Sequence, residues 1–210
     1  GDGFAQVQAG LGFGTRIGGS VSIFADASVA TVRYFDERSL DYSAFSGAVG
    51  ASADIGPIAL TATYQPSVVF TRDFGDRKLT THRFRLAAST AFRVAGVNVA
   101  PEIHGERSIT HPADYSAWSG GGSLTLSTPL SRQVPVLAFA QIGYDRRSFD
   151  DYFEAFVGVK RKDDNLSGGV GVLWRPTAWG EVKAAYSYGR NWSTSDVNRY
   201  RANSGTLGLT

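Results

Sequence analysis

The chain has 210 residues, of which 42% are hydrophobic and 12% aromatic, with 21 basic and 19 acidic side chains and no cysteine. No apolar run approaches the roughly 18 residues of a membrane helix, and the dispersed, nearly balanced charge does not predict nucleic-acid binding. The absence of cysteine excludes disulfides, thiol catalysis and Cys-ligated zinc.

Apolar and polar residues alternate along most of the chain, which predicts β-strands with one apolar and one polar face. From Phe4 to Phe13, for example, valine, leucine and phenylalanine alternate with glutamine and glycine. We find no helical period, linker or low-complexity tract, so we predict a single all-β domain over residues 1–210. The alternating segments are, in chain order, 4–13, 21–34, 42–53, 58–70, 83–94, 97–106, 118–127, 136–147, 163–174, 182–192 and 200–210.

Short and long connections alternate along the chain between these segments. The short ones are rich in glycine and proline and the long ones are charged, as in outer-membrane barrels with short periplasmic turns and longer outer loops. Pro66 lacks the donor that a strand ladder needs, so we predict a bulge there. The short set is 14–19, 54–57, 94–97, 129–133 and 175–180, and the long set is 35–40, 71–78, 108–115, 149–160 and 193–199.

The hairpin from Arg83 to Glu106 indicates what kind of sheet this is. Each arm has about ten residues or more, and a transmembrane β-strand needs about 9–11. We therefore predict an antiparallel transmembrane β-barrel in the bacterial outer membrane. Eleven strands are visible in the sequence, and because bacterial barrels usually have an even number we predict about twelve. The twelfth either precedes Gly1 or is merged into another segment.

Charged residues on the polar faces are candidates for lining the lumen. Opposed charges on adjacent strands stabilise each other by about 0.2–1 kcal/mol per pair. The favoured interpretation is an interior salt-bridge network that fills a narrow barrel, and the alternative is a charged constriction that selects solutes. The predicted lumen-lining residues are Arg83, Arg85, Glu102, His104, Glu106, Asp145, Arg147, Asp163 and Lys183.

His104 is the candidate for catalysis, because Glu102 and Glu106 lie two residues away on the same strand face. A histidine oriented by a carboxylate can act as a base, with Ser89 or Ser119 as the nucleophile. Alternation alone, however, places polar residues next to one another on a strand face. The pattern therefore favours a protein that is not an enzyme, and we predict no catalytic residue, no metal site and no cofactor.

Tryptophan and tyrosine cluster towards the ends of the predicted strands. In a barrel such residues form girdles at the two membrane interfaces, and a sugar-binding stack is the alternative. The predicted interface aromatics are Trp118, Tyr144, Trp174, Trp179, Tyr186, Tyr188 and Trp192.

Three glycines, Gly120 to Gly122, lie inside a strand pattern. Neither a lysine nor a helix follows them, so they lack the context of a phosphate-binding loop. We predict a bend or bulge, because this stretch has no side chains to pack.

Three motifs stand out in the last third of the chain. They are Tyr144-Asp145-Arg146-Arg147, Arg161-Lys162-Asp163 and Tyr186-Ser187-Tyr188-Gly189-Arg190-Asn191-Trp192-Ser193. With these motifs, this part of the chain resembles the closing hairpins of proteobacterial outer-membrane barrels. The similar families are the β-barrel porins and the barrel parts of surface-lipoprotein assembly modulators, and the resemblance implies a barrel rather than one function. Such barrels usually end in an aromatic residue, whereas this chain ends at Thr210, so the resemblance implies a few residues beyond it.

Four functions stay open at this point. The favoured one is a narrow porin-like, channel-like or structural barrel with a charged lumen. The others are a secretion or assembly barrel for surface lipoprotein or exopolysaccharide, an outer-membrane hydrolase that uses His104, and a soluble β-sandwich or calyx. We expect outer-membrane lipid or lipopolysaccharide as a partner, other envelope proteins as further partners, and no nucleic acid.

Overall fold

The computed structural model describes residues 4–131, 134–151, 160–177 and 180–209, which form twelve strands in one antiparallel sheet. Strand neighbours follow chain order, except that the three-residue β6 lies off this path and pairs with β7. The eleven predicted segments therefore correspond to the eleven longer strands. The strands are β1 (Phe4–Ile17), β2 (Val21–Tyr34), β3 (Tyr42–Ile55), β4 (Ile58–Thr71), β5 (Arg77–Thr90), β6 (Phe92–Val94), β7 (Val97–His111), β8 (Ala117–Pro129), β9 (Val136–Phe149), β10 (Lys162–Thr177), β11 (Gly180–Ser193) and β12 (Tyr200–Leu209).

The strands expose their apolar side chains and bury polar ones. Leu11 and Leu207 are 86% and 77% exposed, whereas Glu106 and Asp163 are only 8% and 7% exposed. We call the two sides of each strand the apolar face and the polar face, since directly paired residues share a side. This pattern is the reverse of a soluble core and is expected where the apolar face contacts lipid.

Burial on the polar face is concentrated near the long connections. These buried polar residues sit where β7 and β11 end and where β8 and β10 begin. Lys183, near the short-turn end of β11, is by contrast exposed. The buried polar residues in these positions are Glu106, Ser108, Thr110, Ser116, Asp163, Asn191 and Ser193.

One compact unit comprises the described residues within 1–87, 106–118 and 149–151. Its connection between β2 and β3 is held by Asp41, whose side chain is 2% exposed. The amide of Tyr34 donates to Asp41 Oδ1 at 2.8 Å. The Nε atoms of Arg33 and Arg72 lie 3.9 and 3.8 Å from Asp41 Oδ2. A single carboxylate therefore ties β2 to the turn that follows β4.

The second compact unit comprises the described residues within 88–105, 119–148 and 152–210. Here β9, β10, β11 and β12 pair in an unbroken antiparallel ladder over most of their length. The register between β10 and β11 shifts between Trp174 and Thr177. Pro176 lies at this irregularity, as expected for a residue that cannot donate to the ladder.

The turns agree with the prediction at most but not all points. Val94 pairs with Val97 around Ala95 and Gly96, whose φ angles of 49° and 86° are those of a tight two-residue hairpin turn. The predicted turn 14–19 is too long, because β1 continues to Ile17 and pairs there with Val21. Branched side chains at Thr15 and Ile17 favour this extension of the strand.

The predicted bulge at Pro66 is wrong for the pairing of β3 with β4. Ser46 pairs with Ser67 and Val49 pairs with Tyr64, so the register is the same on both sides of Pro66. The missing donor interrupts individual pairs without adding a residue to either strand.

Within the described residues, four single-turn 3-10 helices occupy four of the long connections. No helix in the described ranges is long and apolar enough to cross a membrane. The predicted long loop 149–160 falls mostly outside the described residues. The 3-10 helices are Arg38–Leu40, Arg72–Phe74, Ala113–Tyr115 and Asp196–Asn198.

Candidate functional site

The polar face of the second unit brings together His104 on β7 and Asp145 on β9. Nε2 of His104 lies 2.7 Å from Oδ1 of Asp145, which is a hydrogen bond. Nδ1 lies 3.6 Å from Oε1 of Glu102, too far for a hydrogen bond but close enough for electrostatic attraction. The imidazole, with its side chain 9% exposed, is therefore fixed by one carboxylate and faced by another.

Gly121 makes this contact possible. Strand β8 lies between β7 and β9 in the sheet, so a side chain at the Gly121 position on its polar face would stand between His104 and Asp145. A Cβ atom at Gly121 would lie 2.7 Å from Oδ1 and 2.9 Å from Cα of Asp145, and would also meet the carbonyl oxygen of Tyr144. The glycine run predicted to be a bend or bulge thus lies within the strand β8 and leaves a gap across which two side chains meet.

Asp163 forms a second polar centre near the long-connection ends of β10 and β11. Arg161 donates to both of its carboxylate oxygens, from Nε at 3.0 Å and from Nη2 at 2.5 Å. Ser193 Oγ donates to Oδ1 at 2.6 Å. On its other side Asp163 is paired in register with Arg147 of β9. This buried carboxylate has three charge-compensating or hydrogen-bonding neighbours, which suits a structural anchor.

The first unit has its own partly buried ion pair on the polar face. Nε of Arg83 lies 3.2 Å from Oε1 of Glu106, and the two side chains are 42% and 9% exposed. Arg85 is partly buried on the same face of β5. The predicted lumen charges thus include at least this pair of opposite sign.

The side chains on these polar faces can attract ions and can transfer protons. No group of three or more histidine or acidic residues in the described part of the chain could hold a metal ion. No hydrogen bond joins His104 to Ser89 or Ser119 within the described residues, so the predicted nucleophiles are not assembled around the imidazole. Lys183 is exposed, with Nζ 5.5 Å from the ring centroid of Phe139.

The predicted interface aromatics lie on the apolar face, at different heights. Trp118 lies near the start of β8, and Cζ of Arg107 lies 5.2 Å from the centroid of its ring. Trp192 lies near the end of β11. Trp174 lies towards the opposite, short-turn end of β10. The tyrosines are nearer to mid-strand: Tyr144 donates to Asp164, Tyr186 donates to Asn203 at 2.6 Å, and Tyr188 pairs with Asn203. Trp179 falls outside the described residues.

Sequence reasoning missed two charged contacts. Arg107 donates to both oxygens of Asp150, at 2.9 and 2.5 Å, and Arg161 binds Asp163 as described. Asp150 directly follows β9 and Arg161 directly precedes β10. Both lie at the edges of the predicted loop 149–160, so their positions near strand ends were visible. The partners of these residues depend on which strand ends lie next to each other. The alternation of apolar and polar residues does not predict that arrangement.

No known protein family and no curated protein matches this chain. Among solved structures it is similar to LpxR from Salmonella typhimurium, with 10% identity, a TM-score of 0.59, and coverage of 96% of this chain and 87% of that one. It is also similar to the beta domain of the Bordetella autotransporter BrkA, with 14% identity, a TM-score of 0.53, and coverage of 98% and 89%. Both are outer-membrane β-barrels, so these likenesses show the fold and confirm the predicted outer-membrane β-barrel. In such barrels the apolar face contacts lipid and the polar face lines the interior.

Proposed function

We propose that the protein forms a narrow channel across the outer membrane, with a lumen lined by charges of both signs. The observation that carries this proposal is that charged side chains on the polar faces are paired yet only partly buried. Arg83 and Asp145 keep 42% and 44% of their side-chain surface accessible while their partners Glu106 and His104 are each 9% exposed. Such groups can contact water and ions without leaving their partners.

Small side chains on the polar face of the first unit support the same proposal. Where β1, β2 and β3 pair, this face carries glycine, alanine and serine, and Ser28 Oγ lies 2.8 Å from Ser46 Oγ. Short side chains leave room for water beside the strands, whereas a structural barrel is filled by larger ones. These small polar-face residues include Gly10, Gly12, Ser28, Ala30 and Ser46.

Selectivity would follow from the paired charges. Rings or clusters of acidic side chains favour cations, and basic ones favour anions. Removing Arg83 takes away a positive charge that lies 3.2 Å from the carboxylate of Glu106, so the local potential becomes more negative. We therefore expect Arg83→Ala to shift conduction towards cations.

The test is single-channel recording of the purified protein in planar lipid bilayers under a salt gradient. The wild type should show discrete conductance steps, and Arg83→Ala should move the reversal potential towards that of the cation. Arg146→Ala is the matched control, because it removes one positive charge from the exposed, apolar face of β9. A folded wild type without conductance steps, or equal shifts in both variants, would contradict the channel.

One observation favours a second candidate, an outer-membrane hydrolase. The hydrogen bond that Asp145 Oδ1 accepts from His104 Nε2 orients the imidazole, as the third group of a catalytic triad orients its base. With no serine assembled nearby in the described residues, such an enzyme would activate water directly. Purified wild type and His104→Ala would be compared for release of fatty acid from outer-membrane lipids. Equal release by the two proteins would exclude this candidate. The assembly-barrel alternative has no comparable support in the described residues.

A further inference from the structure

Two arginines face each other directly on the apolar side of the sheet. Arg190 on β11 and Arg201 on β12 are register partners, next to the pairs Tyr188–Asn203 and Asn191–Tyr200. They share the face of Tyr186 and Leu207, which are 51% and 77% exposed. Like charges directly opposite on adjacent strands are destabilising. A lipid-facing position adds a further cost, which depends on depth.

Protein groups do not neutralise this pair. No carboxylate of the described residues lies within ion-pairing distance of Arg190 or Arg201. The guanidinium of Arg190 lies over the ring of Trp192, 4.5 Å from its centroid. That contact orients the guanidinium and leaves its charge in place.

The surrounding surface adds positive charge. Arg146 of β9 is exposed on the same face, and its Nε lies 3.9 Å from Asp164 Oδ1. Asp164 also accepts a hydrogen bond from Tyr144, so this carboxylate is already shared. Lys162, one step closer to the long connection, is exposed. Arg146, Lys162, Arg190 and Arg201 therefore form a basic patch. The charges of Arg190 and Arg201 at its centre have no acidic partner among the described residues.

The position of the patch along the strands identifies the region of the lipid that it contacts. Arg201 is the second residue of β12 and Arg190 lies three residues before the end of β11, so both are near the long connections. Long connections face the cell exterior in outer-membrane barrels. Trp192 lies one step further out, and tryptophan prefers the headgroup level of a membrane. The patch thus lies at the headgroups of the outer leaflet.

We propose that Arg190 and Arg201 together bind a phosphate group of lipopolysaccharide in the outer leaflet. A phosphate placed between the two guanidinium groups would offset their repulsion and accept forked hydrogen bonds from both. The ring of Trp192 would lie against the sugar or upper acyl portion of the same lipid. The site does not depend on whether the barrel conducts, because it lies on the opposite face from the proposed lumen.

The experiment measures binding of lipid A by the full-length refolded protein in phosphatidylcholine nanodiscs, by titration with bis-phosphorylated or enzymatically dephosphorylated lipid A. Each arginine near an anionic membrane surface adds to the affinity for anionic lipid. Arg190→Gln/Arg201→Gln should therefore weaken binding of the phosphorylated lipid about 30-fold. The matched control is Arg77→Gln/Lys78→Gln, which removes two exposed charges at the long-connection end of β5. Circular dichroism and heat-dependent mobility in gels confirm that each variant is folded.

The expected result is a preference of the wild type for phosphorylated lipid A, which the arginine double variant loses and the control double variant keeps. Inorganic phosphate at millimolar concentration should not displace the lipid. The proposal is overturned if the wild type binds both lipids equally, or if the two double variants behave alike. It is also overturned if inorganic phosphate competes as well as the lipid does, since the site would then bind a free anion.

Discussion

His104 and Asp145 are hydrogen-bonded although their strands are not neighbours, because the strand between them presents Gly121 at the crossing point. The contact therefore depends on three strands keeping one relative register. It is the sole hydrogen bond of the imidazole within the described residues. Whether the protein conducts or catalyses, this arrangement sets the position of its buried histidine.

Replacing Gly121 with valine should break that contact. A Cβ there would lie 2.7 Å from Asp145 Oδ1, so the carboxylate must move away from His104. Overpacking of this kind lowers the free energy of unfolding by about 1–3 kcal/mol. Urea unfolding in lipid vesicles, followed by tryptophan fluorescence, measures the loss. Gly120→Val is the control, since its Cβ would meet only the His104 carbonyl oxygen at 3.5 Å, and equal losses in both variants would contradict the explanation.

Arg83→Ala should destabilise the protein more than Glu106→Gln does. The first change removes the arginine that pairs with a buried carboxylate, whereas the second removes the charge of the carboxylate itself. Breaking a fully buried pair costs more than breaking an exposed one, and the partial exposure of Arg83 places our expectation at about 1–3 kcal/mol.

A double-mutant cycle with Arg83→Ala and Glu106→Gln measures the interaction itself. The double variant should be more stable than Arg83→Ala alone, because the buried negative charge of Glu106 is then removed together with the arginine. Strictly additive effects of the two changes would show that the 3.2 Å contact contributes nothing to stability.

Asp41→Ala should loosen the connection between β2 and β3 more than Asp41→Asn does. Alanine removes the acceptor for the Tyr34 amide together with the charge facing Arg33 and Arg72, whereas asparagine keeps an acceptor oxygen. We expect a loss of about 1–3 kcal/mol for alanine and less for asparagine. Hydrogen exchange at the Tyr34 amide is the direct measurement. Unchanged protection of this amide in the alanine variant would refute the anchoring role of Asp41.

The tryptophans should report interfacial depth. Variants that keep only Trp118, only Trp174 or only Trp192 should be quenched most by lipids that carry the quencher near the headgroup, because each lies near a strand end on the apolar face. A tryptophan-free protein carrying Ile142→Trp is the mid-membrane reference, since Ile142 is 54% exposed near the middle of β9. A quenching profile of Trp118 that matches this reference would argue against the girdle.

Alternation was enough to predict the strands, their faces and the membrane-spanning fold, because a period of two is a local property of the chain. That His104 and Glu102 lie on the same strand face follows directly from this period. The same local pattern misjudged residues 14–17 and Pro66. There the pairing partner, which lies elsewhere in the chain, decides where a strand ends and whether its register shifts.

The contacts of the site could not be predicted in the same way. The pairing of His104 with Asp145 spans 41 positions, and it requires a register across β7, β8 and β9 that no single segment encodes. Gly121 was visible as an unusual residue, but its meaning lies in the space that it leaves between two other strands. Arg161 and Asp163 are close in sequence, yet Ser193, which completes their cluster, comes from the next strand.

The uneven burial of the polar face has a consequence for the electrical behaviour of the proposed channel. In each unit the buried charged and hydroxyl groups lie near the long connections, whereas Lys183 and the short-turn ends are open to solvent. In the proposed channel, an ion from outside the cell would meet these buried groups at the start of its path, and an ion from the periplasm would meet them at the end. We therefore expect rectification, with unequal currents at opposite voltages of equal size.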